Sequence, residues 1–203
     1  SEAVSIGSWS KWRRTSLPSA RAGAKPRLTS CVAARPSGRY APAMLPPPPS
    51  LRGRTAFVTG GGTGLGFEVS RRLGALGANV VVASRDPAHH EALRRLGVAG
   101  EFEVLSLPMD VRRADEVRGA FRAAVARFGG VDLLVNNAAG NFIRPSLLLA
   151  PKAFANVIDI ALNGVFTCSR EAGRVMSEGR GGAIVNVSAP YASTGKPGVV
   201  HSA

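Results

Sequence analysis

Thr55-Ala56-Phe57-Val58-Thr59-Gly60-Gly61-Gly62-Thr63-Gly64-Leu65-Gly66 is the stretch that decides the fold. Thr55 to Val58 is short, apolar and partly β-branched, which suits a strand buried on both faces. Beyond it Leu65, Val69, Leu73 and Leu76 recur at offsets of 4, 8 and 11, one face of a helix that Gly77 ends. Between strand and helix the glycines read TGxxxGxG, with Gly60, Gly64 and Gly66 as fixed points; no frame supplies GxGxxG. Glycines there permit backbone conformations that a Cβ forbids and let a pyrophosphate approach the chain. The helix start that follows offers unpaired N–H groups and a positive dipole end. Gly60, Gly62, Thr63, Gly64, Leu65 and Gly66 are therefore candidates for holding a dinucleotide.

Outward from this unit, buried strands and amphipathic helices alternate. Asn79 to Ala83 is a second strand, and Asp86-Pro87 opens a second helix running to about Leu96. Phe102 to Leu107 is a third strand. Val117, Phe121, Val125 and Phe128 mark a third helix, ended by Gly129-Gly130. Val131 to Val135 is a fourth strand, one long helix runs from about Pro151 to Ser177, and Ala183 to Val187 is a fifth strand. This alternation predicts an α/β fold over residues 51–203: a doubly wound parallel sheet of the Rossmann type with right-handed crossovers.

In such a sheet ligands bind outside the carboxyl ends of the strands. Arg85, Asp110 and Asn137 fall there, Asp110 placed to face an adenine ring. An acid on the ribose hydroxyl would indicate NAD, and an Arg suits the 2′-phosphate of NADP. Asp86 precedes Pro87 and is committed as a helix cap, which leaves Arg85 for the extra phosphate. NADPH is the expected cofactor. His89 and His90 read as exposed helix residues without a role.

The net charge of +13 looks like a nucleic-acid signal until it is divided. Residues 1–54 hold ten Lys/Arg and one acid, a balance of +9, while residues 55–203 hold sixteen basic and twelve acidic residues, a balance of +4. No basic face interleaved with aromatics accompanies the charge, so a nucleic-acid partner is not expected. Cys31 and Cys168 lack metal-ligand spacing or a nearby Cys/His partner, and neither a metal site nor a disulfide is expected. No apolar run reaches the roughly 20 residues of a membrane span. Residues 1–50 are rich in Ser, Arg, Ala and Pro, nearly free of acids, and read as a disordered basic leader. This composition fits a mitochondrial transit peptide, or equally translated upstream sequence with Met44 as the start.

TGxxxGxG, Asn136-Asn137-Ala138-Ala139-Gly140 after the fourth strand, and Ile184-Val185-Asn186-Val187 together resemble the short-chain dehydrogenase/reductase family over about residues 51–203. Most of that family carries a Tyr-x-x-x-Lys pair, a Ser thirteen residues before the Tyr, and a helical Asn. In this register the Tyr falls on Ser202, the Ser on Ala189 and the Asn on Ala161, and the Lys would lie three residues past Ala203. The chain is thus expected to be incomplete at its C-terminal end and inactive alone. One branch departs from the pattern in the same way. Asn137 to Ile143 and Tyr191-Ala192-Ser193-Thr194-Gly195, continuing to Ser202, resemble the 2,4-dienoyl-CoA reductases, and Ala43-Met44-Leu45-Pro46-Pro47 is similar to the segment ahead of the first strand in their mitochondrial form. There the active Tyr sits eleven residues early, which lands on Tyr191.

What this resemblance implies is reduction of a 2,4-dienoyl-CoA to a 3-enoyl-CoA in fatty-acid β-oxidation. Tyr191 and Asn141 would donate hydrogen bonds to the thioester oxygen, and Ser202 would support them. Arg112 would reach a CoA phosphate, and Phe142 would touch substrate. It also implies a homo-tetramer when full length, and a mitochondrial matrix enzyme or, alternatively, one of the bacterial cytoplasm. Plainer readings stand beside these. Asn141 suits a turn, Tyr191 a loop aromatic, Arg112 a solvated helix start, and His201 a structural role, as no carboxylate partner is in view. The alternatives for the chain as a whole are a trans-2-enoyl-CoA reductase of the same family and an inactive NADP-binding chain.

Overall fold

The computed structural model describes residues 50–202; the expectations for the leader, Cys31 and the approach through Met44 lie outside the described residues. Five strands form one parallel sheet: β1 (Thr55–Thr59), β2 (Asn79–Ser84), β3 (Val104–Pro108), β4 (Leu133–Asn136) and β5 (Ala183–Asn186). Their order is β3-β2-β1-β4-β5, and every pairing is parallel. The chain winds outward from β1 to β3 and then returns to place β4 on the other side of β1. That reversal opens a crevice at the carboxyl ends of β1 and β4.

The pleat sorts the strand residues into two apolar layers. Phe57, Val81, Leu105 and Leu134 share one row and meet α3 (Ala114–Phe128) and α5 (Val165–Glu178) through Phe121, Val117, Cys168 and Ala172. Phe57 and Phe121 stack at 4.4 Å between ring centroids, an arrangement that adds about 1 kcal/mol to the area they bury. Val80 and Val82 point to the opposite face, where Leu93 of α2 (Glu91–Val98) and Phe67 of α1 (Gly64–Ala75) cover them. The doubly wound architecture expected from the sequence is present.

Three details differ from expectation. The buried stripe of α1 is Gly66, Ser70 and Gly74, not the leucine-bearing face one step around the helix, and Leu65 is 72% exposed. Small residues win because the helix lies close on the sheet. A Cβ on Gly66 would sit 2.2 Å from the Gly60 carbonyl oxygen, and one on Gly74 would sit 2.4 Å from the Phe102 ring. Second, the single long helix is broken into α4 (Pro151–Ile158) and α5 by a π-helical turn over Asp159–Gly164. Third, His90 is fully buried. Its spacing to Leu93 and Gly97 puts it on the face of the second helical segment that meets the sheet.

Gly77 and Gly129 end their helices with positive φ, as predicted. Asp86 accepts a hydrogen bond from the Ala88 amide ahead of Pro87, the expected cap, although the first turn, Pro87–His90, is a 3-10 turn. Among the described residues no helix is long and apolar enough to cross a membrane.

Candidate functional site

The carboxyl ends of β1 to β4 enclose a cleft of about 490 Å³. Gly60, Thr63, Leu65 and Gly66 line it from the β1–α1 turn, Arg85 from β2, Asp110 from β3, and Asn137 from β4. Seven of the nine residues expected at the cofactor are thus brought to one cavity. Gly62 and Gly64 do not line it. A Cβ on Gly62 would meet the His89 carbonyl at 2.5 Å and the His90 ring at 2.6 Å, so that glycine serves packing under the turn. Gly64 has a φ of +54° and faces open space at the start of α1.

Two polar devices hold the turn. Thr59 Oγ1 accepts the amides of Asn137 and Ala138, both at 3.0 Å. The Asn137 side chain donates to the carbonyls of Thr59 and Gly60, both at 3.1 Å. Asn137 therefore ties the β4 end to the glycine turn as well as lining the cleft. Thr59 is the T of TGxxxGxG, but its role follows from its place: a hydroxyl on the last residue of a buried strand, where a polar group requires partners.

The second device is His90. Its Nε2 lies 2.7 Å from Ser84 Oγ and its Nδ1 lies 2.6 Å from Ser106 Oγ. Ser84 donates to the Asp86 carbonyl, so it accepts from Nε2–H, and Nδ1 accepts from Ser106. Burial, with His89 adding to it, holds this imidazole below its ordinary pKa and therefore neutral. The reading of His90 as an exposed residue is corrected: it is a buried wedge between β2, β3 and the glycine turn.

A dinucleotide fits these residues. Thr63, at the cap position of α1, makes no side-chain cap bond, and no acid stands in the first turn, so the first N–H groups and the dipole remain available to an anion. Arg85 is exposed beside the cleft, with no hydrogen bond or ion pair to another described residue. Asp110 is engaged: Arg112 Nε lies 2.9 and 3.0 Å from its two carboxylate oxygens and holds the carboxyl below its usual range. Arg112 also donates to Asn156 of α4; it does not line the cleft and is already paired beside it. Burial pushes the Cys168 thiol up to about 12, which removes it as a nucleophile.

Asn141, Phe142, Tyr191 and Ser202 do not line the cleft. Asn136 on β4 and Asn186 on β5 are Cα partners, joined also by Asn136 Nδ2 to Asn186 Oδ1 at 2.8 Å. Asn141 lies five residues beyond the first and Tyr191 five beyond the second, so both leave neighbouring strands at the same edge. Among the described residues no hydrogen bond joins them. Tyr191 opens α6 (Tyr191–Thr194) and is half-buried, with Lys196 Nζ 5.7 Å above its ring. Arg144 donates its amide to the Gly198 carbonyl at 2.8 Å, which knits the Asn141 loop to the segment ending in Ser202. His201, in that segment, is buried and lies 2.9 Å from both Asn141 Oδ1 and the Phe142 carbonyl oxygen. Ala161, where the family's helical Asn falls, lies in the π-helical turn next to Ile160, which lines the cleft.

The fold and cleft define a dinucleotide-binding protein of the short-chain dehydrogenase kind. The family model described as short chain dehydrogenase matches residues 54–202, and the chain belongs to that family, whose members bind nicotinamide cofactors. It is 38% identical over 156 residues to the peroxisomal 2,4-dienoyl-CoA reductase of Pongo abelii, described as (3E)-enoyl-CoA-producing, covering 76% of this chain and 53% of that protein. It is also 38% identical over 151 residues to a Bacillus subtilis protein named "Probable 2,4-dienoyl-CoA reductase" and described as (2E)-enoyl-CoA-producing, covering 74% and 59%. Among solved structures, a short chain dehydrogenase from Bacillus anthracis superposes with a TM-score of 0.68 at 36% identity, covering 75% of this chain and 64% of that one. The chain spans about half the length of the curated relatives it matches.

Proposed function

We propose that this chain carries the cofactor half and part of the substrate site of an NADPH-dependent 2,4-dienoyl-CoA reductase. The observation that carries the reading is the paired offset of Asn141 and Tyr191 from Asn136 and Asn186, in a register that puts Ala189 and Ser202 where the family's proton-transfer Ser and Tyr would stand. The names of the relatives support the same substrate class.

When bound, NADPH supplies a hydride to Cδ of the dienoyl thioester, and a proton taken up at Cα completes a 3-enoyl-CoA. The residues of this chain act on the charge that this transfer creates. As the thioester oxygen gains electron density, the Asn141 amide and the Tyr191 phenol donate hydrogen bonds to it, stabilising the dienolate as an oxyanion hole does. No alcohol proton has to be removed, so neutral donors suffice. Arg85 meets the 2′-phosphate, Thr63 and the α1 N-terminus meet the pyrophosphate, and Asn137 keeps the turn in shape. Arg112 reaches a CoA phosphate only by loosening its pair with Asp110. Ser202 donates its amide to Val199 and supports the site from a short helical turn, and Phe142 offers the acyl chain an apolar contact.

The proposal extends to where the enzyme works and how it assembles. The basic, acid-poor leader supports the mitochondrial matrix, whereas several relatives are named as peroxisomal. The exposed Leu162 and Phe166 support a homo-oligomer. The test of the function is an assay of the full-length enzyme. NADPH consumption with a 2,4-dienoyl thioester and none with a 2-enoyl thioester is expected; the reverse pattern would replace this reading with an enoyl reductase.

A further inference from the structure

Asn141 is useful as a donor only if its amide nitrogen, not its oxygen, faces the substrate. The two ends of an asparagine amide are nearly isosteric, so something must select between them. Two N–H groups do so here. The Phe142 backbone amide lies 2.8 Å from Asn141 Oδ1, and His201 Nε2 lies 2.9 Å from the same atom.

The direction of the His201 contact follows from its second partner. Nε2 is also 2.9 Å from the Phe142 carbonyl oxygen, which can only accept. Nε2 therefore carries the proton and is shared between two acceptors. Nδ1 is buried with no partner among the described residues. A proton there would be a stranded buried donor, whereas a lone pair is the milder defect, so both nitrogens favour the same tautomer. The ring is fixed in turn by stacking on Phe142, 4.5 Å between centroids and 17° from parallel, and by burial of the side chain.

We propose that His201 is a positioning residue for the reduction: its Nε2–H, together with the Phe142 amide, occupies Asn141 Oδ1 and so presents the Asn141 NH2 to the thioester oxygen. The inference rests on the reading of Asn141 as a donor given above. It assigns to His201 a task that an apolar side chain of equal bulk could not perform.

The experiment compares His201→Phe, His201→Gln, Asn141→Ala and the His201→Phe/Asn141→Ala double variant in the full-length enzyme, with NADPH and a 2,4-dienoyl-CoA. Phe keeps the bulk and the stack on Phe142 but has no N–H. It is expected to lower kcat by up to about 100-fold, the scale of a small misplacement of a reacting contact, with KM for NADPH unchanged. Gln restores an N–H donor and should recover most of that loss. The double variant should be no slower than Asn141→Ala, because a positioning residue has nothing left to position. Full kcat in His201→Phe, where Asn141→Ala is slow, overturns the role of His201 and leaves the donor reading standing. Full kcat in Asn141→Ala overturns both. If His201→Phe does not fold, the tautomer decides: long-range 1H–15N correlation spectra of the unmodified enzyme should show His201 protonated at Nε2, and protonation at Nδ1 sinks the proposal.

Discussion

The two halves of the sheet are held together by different forces. β1, β2 and β3 lie between two apolar layers, and β1 is buried along its whole length. β5, at the other edge, exposes Ile184 and Val185 by 39% and 48%, and Val187 just beyond it by 49%. Beyond its pairing with β4 and its contact with α5, β5 is tied down among the described residues by polar links: the Asn136–Asn186 amide contact and the convergence of Arg180 on Asp132. The cofactor cleft is built largely on the half held by packing. Tyr191 stands beyond β5, and Asn141 beyond its neighbour β4. Packing is insensitive to pH and salt and unforgiving of volume, while polar links behave in the opposite way. Each region should therefore fail in its own manner.

The largest effect is expected in the packed half. Gly66→Ala places a methyl 2.2 Å from the Gly60 carbonyl oxygen and 2.5 Å from the Asn137 amide, both parts of the clamp on the turn. Overpacking of this kind costs about 3 kcal/mol, and a displaced turn loses the dinucleotide by about 100-fold or more. Gly64→Ala is the control: only its φ of +54° resists a side chain, for about 1 kcal/mol. Fluorescence titration with NADPH and thermal unfolding should rank the two in that order. Equal effects would mean that the turn is not packed as described.

Arg85→Asp comes next. Arg85 makes no hydrogen bond or ion pair to another described residue, so stability should hold, while NADPH affinity falls about 10- to 100-fold, the worth of a hydrogen bond between charged groups. NADH affinity should change by less than about threefold, since it lacks the phosphate that the guanidinium addresses. Equal losses for both cofactors, measured in parallel titrations, would remove Arg85 from the 2′-phosphate.

The same division governs how much could be read from the sequence. The order of elements, the glycine turn, the Asp86 cap and the helix-ending Gly77 and Gly129 were legible because each depends on a local pattern with one physical solution. The buried face of α1 was misread because periodicity counts large apolar residues, whereas close helix–sheet approach selects Gly66, Ser70 and Gly74. His90 was misread because a histidine before a charged helix looks solvated until Ser84 and Ser106 are known to flank it. The roles proposed for Asn141 and Tyr191 came from a resemblance; the register of β4 with β5 shows only that both follow paired strands by five residues. The His201 contact joins residues sixty positions apart, and no local signal carries it.

The smallest effect probes the polar half. Asp132 accepts from Arg54 Nη1 and the Thr55 amide, each at 2.8 Å, and from Arg180, whose Nη2 lies 2.8 Å away. It thereby links the starts of β1 and β4 to the segment entering β5. Burial alone would raise its pKa, but Arg180, Arg54 and the Thr55 amide outweigh that and hold it at about 2. Because the folded value lies below the ordinary 3.8, the carboxylate stabilises the fold fully above that value, and the contribution is lost as pH falls towards 2. Asp132→Asn should cost about 1–2 kcal/mol and flatten the acid limb of the stability profile. The loss should be greatest at the β5 edge, because β1, although it gives up the Thr55 bond, keeps the apolar layers on both its faces. Amide hydrogen exchange should accelerate at Ala183 to Asn186 well before it does in β1 or β2. A uniform acceleration across all five strands would mean that the sheet opens as one unit, and the contrast between its halves would fall.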